Sequence, residues 1–342
     1  MSTAWQRITE FPCHTDKNWA IWKRGKATSV EFETIKKMVA HWNPTSKLLV
    51  ASPDCQYFVP PICLPIFESK IQRHLSNNLK FAFISLLFFS FLLLGVAVYR
   101  HSLPHYSFFA LTIWLSLTIY ADYRIGWGNV TGASERAKFF SWLQISKVGR
   151  LGFAFWSALS ILIGVAQWML FVYFGDWNTV LERFSFVFAN FANGEYWRLP
   201  IGFIFHGNLI HFLNNAFLLV FIGVISWAIL GAKISIGSFL LGNWTSLLAQ
   251  MIWVNWWGHS GDACWGMSGG IFSLLGLVVI SATFDRQILP KGFLILLVNV
   301  FLMTSIVSEI LSSRTATVAH IAGFGTGLAL GCLGATLGQL RR

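Results

Sequence analysis

The sequence predicts an all-α protein that crosses a membrane many times, and three observations carry that prediction. Of its 342 residues, 55% are hydrophobic and only 11% are charged, less than half the charge of an ordinary soluble domain. The apolar residues gather into eight runs, at roughly 79–99, 105–121, 151–174, 203–227, 234–254, 268–284, 292–311 and 317–338, each near the twenty residues a helix needs to span a bilayer. The connecting segments also alternate in charge. Lys and Arg collect in 1–80, in 122–150, at Lys233, at Arg286 and Lys291, and at Arg341 and Arg342, while only Arg100, Arg183, Arg198 and Arg314 lie elsewhere. Positive charge stays on the cytoplasmic side, so the pattern predicts eight spans in the cell (inner) membrane with both termini cytoplasmic.

Residues 1–78 form a small basic segment holding Trp5, Trp19, Trp22 and Trp42 and ending in Pro60-Pro61 and Pro65. Phe32, Ile35, Val39 and Trp42 recur at helical spacing. No cleavable signal pattern precedes the first span. The segment is expected to be a folded appendage in the cytoplasm or on the membrane surface. The first two spans make a hairpin whose turn, Arg100 to His105, contains the helix breaker Pro104. They hold few polar groups and read as lipid-facing. The basic stretch 122–150 returns the chain to the cytoplasm.

From 151 onward come six spans richer in Gly, Asn and His. Small residues let helices approach closely, and polar groups in lipid mark a site. The expected divisions are therefore 1–78, 79–150 and a six-helix core over 151–342. The loop 175–202 carries Phe184, Phe186, Phe188 and Phe191 before Tyr196-Trp197-Arg198, too apolar for water and too interrupted for a span, so it belongs at the outer interface. The polar loop 255–267 must cover or line a cavity.

Several function classes drop out. The net charge of +11 mostly reflects topology, and no basic patch lies beside base-stacking aromatics, so nucleic acid is not an expected partner. Cysteines 13, 55, 63, 264 and 332 form no CxxC pair, and no HExxH occurs. Disulfides, a metal and a cofactor are not expected.

Serine hydrolysis needs a nucleophile, a base and donors for the oxyanion. Gly266-Met267-Ser268-Gly269 places a serine where the polar loop meets an apolar helix, whose first amides point outward unpaired. Gly266 and its neighbours leave room for a substrate backbone. His320, followed by Gly323 and Gly327, is the candidate base. Asp285 sits at the far end of its helix, so a Ser-His dyad without a carboxylate is expected. His211 and Asn215, one helical turn apart, both offer donors for an oxyanion. His206 lies at the membrane surface, and Asn214 points away from that face. Taken singly, each group also suits a helix cap or an interhelical hydrogen bond. Their convergence within two or three turns of the outer face favours a site. Gly258-His259-Ser260-Gly261 repeats the serine pattern, but no helix follows directly, and His259 breaks the GxGD pattern of aspartyl intramembrane proteases.

These residues resemble the rhomboid family of intramembrane serine proteases, in a bacterial-type form with an N-terminal extension and two extra spans. The resemblance covers about 151–338 and rests on Trp197-Arg198, on His206, His211 and Asn215, on the Ser268 motif, and on Ala319-His320-Ile321-Ala322-Gly323 with Gly327. It implies a rhomboid-like six-helix core, with Ser268 as nucleophile and His320 as base. It implies an oxyanion hole from the Ser268 amide, His211 and Asn215. The partners it implies are single-span membrane proteins, cut near the outer face. Many bacterial relatives carry tyrosine where this chain has Phe272, which keeps the ring and loses the hydroxyl. Two other readings stay open: a catalytically silent relative that binds client spans, and a relative that removes C-terminal sorting anchors. Oligomeric state and substrate identity are not readable.

Overall fold

The computed structural model describes residues 4–6, 11–14, 16–23, 25–44, 46–100, 103–257, 262–311 and 317–336. The chain divides into two compact units. Met1–Ser146 with Gln287–Thr315 form one, and Lys147–Arg286 with Ala316–Arg342 form the other.

The first unit opens with a small sheet that the sequence pattern did not announce. β1 (Ala20–Lys23) lies between β2 (Lys26–Ser29) and β3 (Leu49–Ala51) in antiparallel register, Ile21 facing Thr28 and Val50. Helix α1 (Phe32–Ala40) buries Ile35 and Val39, the residues its spacing marks. With Trp42, Val50, Val59, Ile62 and Phe67 they close an apolar core. Helix α2 (Pro65–Arg100) begins well before the apolar run, and its polar foot contributes Phe67 and Ile71 to that core. It pairs with α3 (Leu103–Ile125) as the expected hairpin. Helix α4 (Val130–Ile145) starts at Asn129, whose side chain accepts from the amides of Thr131 and Gly132. Its buried Arg136 pairs with Asp122.

The seventh apolar run also joins this unit, although its place in the sequence suggested the C-terminal core. In the helix Phe293–Leu311, Phe293 packs on Phe139 and Phe140 with ring centroids 5.7 and 5.5 Å away. Trp114 Nε1 donates to Asn299 Oδ1 at 2.7 Å, a hydrogen bond between two apolar helices where few alternatives exist.

The second unit runs through α5 (Lys147–Phe174), α6 (Trp177–Phe184), β4 (Phe186–Val187), α7 (Phe188–Ala192), α8 (Arg198–Ile201), α9 (Leu209–Leu230), α10 (Ala232–Trp257), β5 (Ala263–Cys264) and α11 (Ser268–Phe284). With Phe293–Leu311 counted as α12, it ends at α13 (Thr317–Thr336). Helix α11 is buried almost all round, against α9, α10 and α13. Backbone meets backbone here: a Cβ on Gly276 would strike Phe324 O, one on Gly323 would strike Gly269 O, and one on Gly327 would strike Ser273 O. Gly269 faces Gly323, Ser273 faces Gly327 and Ile280 faces Gly331, so α11 and α13 run parallel.

Among the described residues, Pro65–Arg100, Lys147–Phe174, Leu209–Leu230 and Thr317–Ala335 are long and apolar enough to cross a membrane, and Ser268–Phe284 and Phe293–Thr304 are shorter apolar helices. The polar side chains of α10 lower its hydropathy and serve the packing described next.

Candidate active site

Three helix starts meet in the second unit. Helix α9 begins because Asn208 caps it, accepting from the His211 amide at 2.8 Å. Helix α11 begins after a turn through Gly266, whose φ of 97° suits glycine. Helix α13 begins at Thr317. His211, Ser268 and His320 each fall in the first turn of their own helix, a tighter convergence than the sequence spacing required.

Ser268 Oγ lies 2.9 Å from His320 Nε2. Phe272 lies one turn beyond Ser268 and stacks its ring on the His320 imidazole, with centroids 4.6 Å apart and planes 15° from parallel. The stacking surface is present without a hydroxyl. Asp285 closes the opposite end of α11, and no carboxylate bonds His320 among the described residues.

On the other flank, Asn215 Nδ2 and His211 Nε2 are 3.2 Å apart. A Cβ at Gly266 would come within 2.9 Å of His211 Cε1 and 3.3 Å of Asn215 Nδ2. Glycine is thus required twice at this position, by its dihedral and by its neighbours. The close approach sets His211 and Asn215 beside the backbone that leads into Ser268. Asn215 has a second amide hydrogen to give. The Ser268 and Gly269 amides have no acceptor within their helix, whereas the Gly270 amide is held by Asn243 Oδ1 at 2.9 Å.

His206 stands behind this group. It is fully buried, with its ring edge-on to His211 at 5.2 Å. Its backbone amide donates to Gln167 Oε1 at 3.0 Å, and its carbonyl accepts from Trp177 Nε1 at 2.8 Å. Both ring nitrogens lack partners among the described residues, so its tie to the site is through packing on His211.

Trp197 and Arg198 are not at the reacting centre. Arg198 is buried and ties its own loop together. Its Nε donates to Glu195 at 2.7 Å, and its Nη1 donates to the carbonyls of Ser185 and Glu182 at 2.7 and 3.1 Å. Its guanidinium also lies over the Trp197 ring. That loop reaches Ser268 indirectly. β4 pairs with β5, Phe186 opposite Cys264, and the Phe188 amide donates to Asp262 O at 2.9 Å. The strand just before the nucleophile is thereby anchored. Burial pushes the Cys264 thiol up to about 12, leaving it protonated at neutral pH. Ser260, the second serine pattern, lies outside the described residues.

Sequence reasoning missed a layer of uncharged amides. Asn243 fixes the Gly270 amide, and Gln250 Oε1 accepts from the Ala319 amide at 3.3 Å. Two side chains of α10 therefore pin the starts of α11 and α13. Gln167 does the same for His206. The available signal was an Asn or Gln inside an apolar run, a costly residue there. Among the described residues, no group of three His, Cys, Asp or Glu side chains is placed to hold a metal ion.

Residues 193–336 match the family model described as Rhomboid domain. The match begins after α7, so α5 and α6 lie outside it. No curated protein matches the chain.

Proposed function

We propose, for a multi-pass membrane protein whose residues 193–336 match the Rhomboid domain model, that it is an intramembrane serine endopeptidase working through a Ser268–His320 dyad. The observation that carries this reading is the 2.9 Å approach of Ser268 Oγ to His320 Nε2, in a layer that also holds His211 and Asn215. His320 takes the serine proton as Oγ attacks a peptide carbonyl. The negative charge that develops on the carbonyl oxygen is met by the Ser268 amide, Asn215 Nδ2 and the His211 ring. The amine product leaves with the proton held by His320, and water then attacks the acyl-enzyme with His320 again as base. Phe272 holds the imidazole plane while its protonation state changes. The substrate is a single-span helix of another membrane protein, locally unwound near the outer face, with the enzyme's own termini in the cytoplasm.

The test is cleavage of a model single-span protein by the purified chain in liposomes. Ser268→Ala and His320→Ala are each expected to lower kcat by about 10³-fold or more, since a positioned base alone contributes about 10²–10⁴. Ser260→Ala is expected to stay within about twofold. Full activity in either dyad variant would sink the mechanism. A wild-type chain that cuts nothing across a substrate panel yet retains those spans in a pull-down would put the client-binding reading in its place.

A further inference from the structure

The first unit contains a groove that peptide hydrolysis does not use. It lies between α1 and the foot of α2 and has a volume of about 250 Å³. Phe32, Trp42 and Ile66 supply apolar walls, while Lys36, Lys70 and His74 line it with nitrogen and no carboxylate does. Trp42 is 7% exposed, and its indole N–H has no acceptor among the described residues, a donor that is costly to leave unmade. Lys36 Nζ touches Glu33 at 2.8 Å, but those side chains are 53% and 70% exposed, so the pair is weak and exchangeable. His74 Nε2 lies 3.2 Å from Asn78 Nδ2.

Position narrows the ligand. Helix α2 is continuous from Pro65 to Arg100, and its apolar run begins near residue 79. At about 1.5 Å per residue, His74 lies roughly 8 Å and Lys70 roughly 14 Å before that point. The polar layer on each side of a bilayer is about 5–8 Å deep. His74 thus stands at the outer edge of the headgroup layer. Lys70 stands about one helical turn beyond it, where a lysine's flexible four-carbon stem can reach back toward a phosphate, and Lys36 lines the same groove over its apolar floor. A free anion would use the nitrogens and waste the floor, whereas a phospholipid uses both. We propose that this groove binds the headgroup of an anionic phospholipid from the leaflet that α2 enters.

The experiment incubates the detergent-purified full chain with equal amounts of phosphatidylglycerol and phosphatidylcholine, and counts retained lipids by native mass spectrometry. The wild type retains phosphatidylglycerol in preference. Lys36→Gln with Lys70→Gln lowers that preference about thirtyfold, the scale expected for two cations at a membrane surface. Lys26→Gln with Lys47→Gln removes the same charge elsewhere in the unit and leaves the preference unchanged. Lys36→Arg with Lys70→Arg restores it, which separates lost charge from lost fold. The proposal is overturned if both glutamine pairs act alike, if the groove pair changes nothing, or if millimolar inorganic phosphate displaces the lipid.

Discussion

Phe272 presents the face of its ring to the imidazole of His320, a contact that orients the base without bonding it. A stacked aromatic pair contributes about 0.5–1.5 kcal/mol beyond its burial. Phe272→Ala is therefore expected to lower kcat by about two- to tenfold with KM little changed, and Phe272→Tyr to stay within about twofold. Steady-state cleavage of the model substrate measures both, and an unaffected alanine variant would show that α13 alone orients His320. At this scale the sequence was most readable where chemistry is costly. Ser268, His320, His211 and Asn215 stand out because polar groups in apolar helices need partners. Asn243 and Gln250 were not singled out, because each bonds the backbone of another helix, and nothing in their own helix names that target. Trp197 and Arg198 were readable as a pair, but their task of closing a loop on Glu182, Ser185 and Glu195 emerges only once the loop has folded.

The pairing of α11 with α13 rests on glycines that let main chain approach main chain, and its sensitivity differs along one helix. A methyl group at Gly327 would meet Ser273 O and Leu277 N, whereas at Gly325 it would meet nothing within 4 Å. Gly327→Ala should part the helices and cost about 1–3 kcal/mol. Gly325→Ala should be neutral or stabilising, since alanine is the better helix former by about 0.8–1 kcal/mol. Thermal unfolding in detergent compares the two, and equal midpoints would refute the close contact. Each of the eight apolar runs overlaps a helix, although 203–227 begins six residues before α9 and four of the described helices are long and apolar enough to cross a membrane. The strands were not legible. β1 to β3 have at most four residues each, and β4 and β5 have two, too few for an alternating pattern to register.

The grouping of α12 with the N-terminal unit belongs to the whole molecule. Its partners Trp114, Phe139 and Phe140 come from segments made far earlier, and no local pattern ties them to Phe293 or Asn299. Deleting residues 1–146 removes those partners. Amide exchange across 293–304 should then quicken by about tenfold or more, since local opening governs exchange. Unchanged exchange by mass spectrometry would show that these contacts contribute little. The same discontinuity sets a timetable for biosynthesis. Ile145 ends α4 and Phe293 begins α12, and a ribosome adding about 5–20 residues per second takes roughly 7–30 s to cross that interval. Throughout it, the hairpin and the sheet have been synthesised while the helix that completes their unit does not yet exist. The N-terminal portion of this unit must be held in waiting until α12 has been translated.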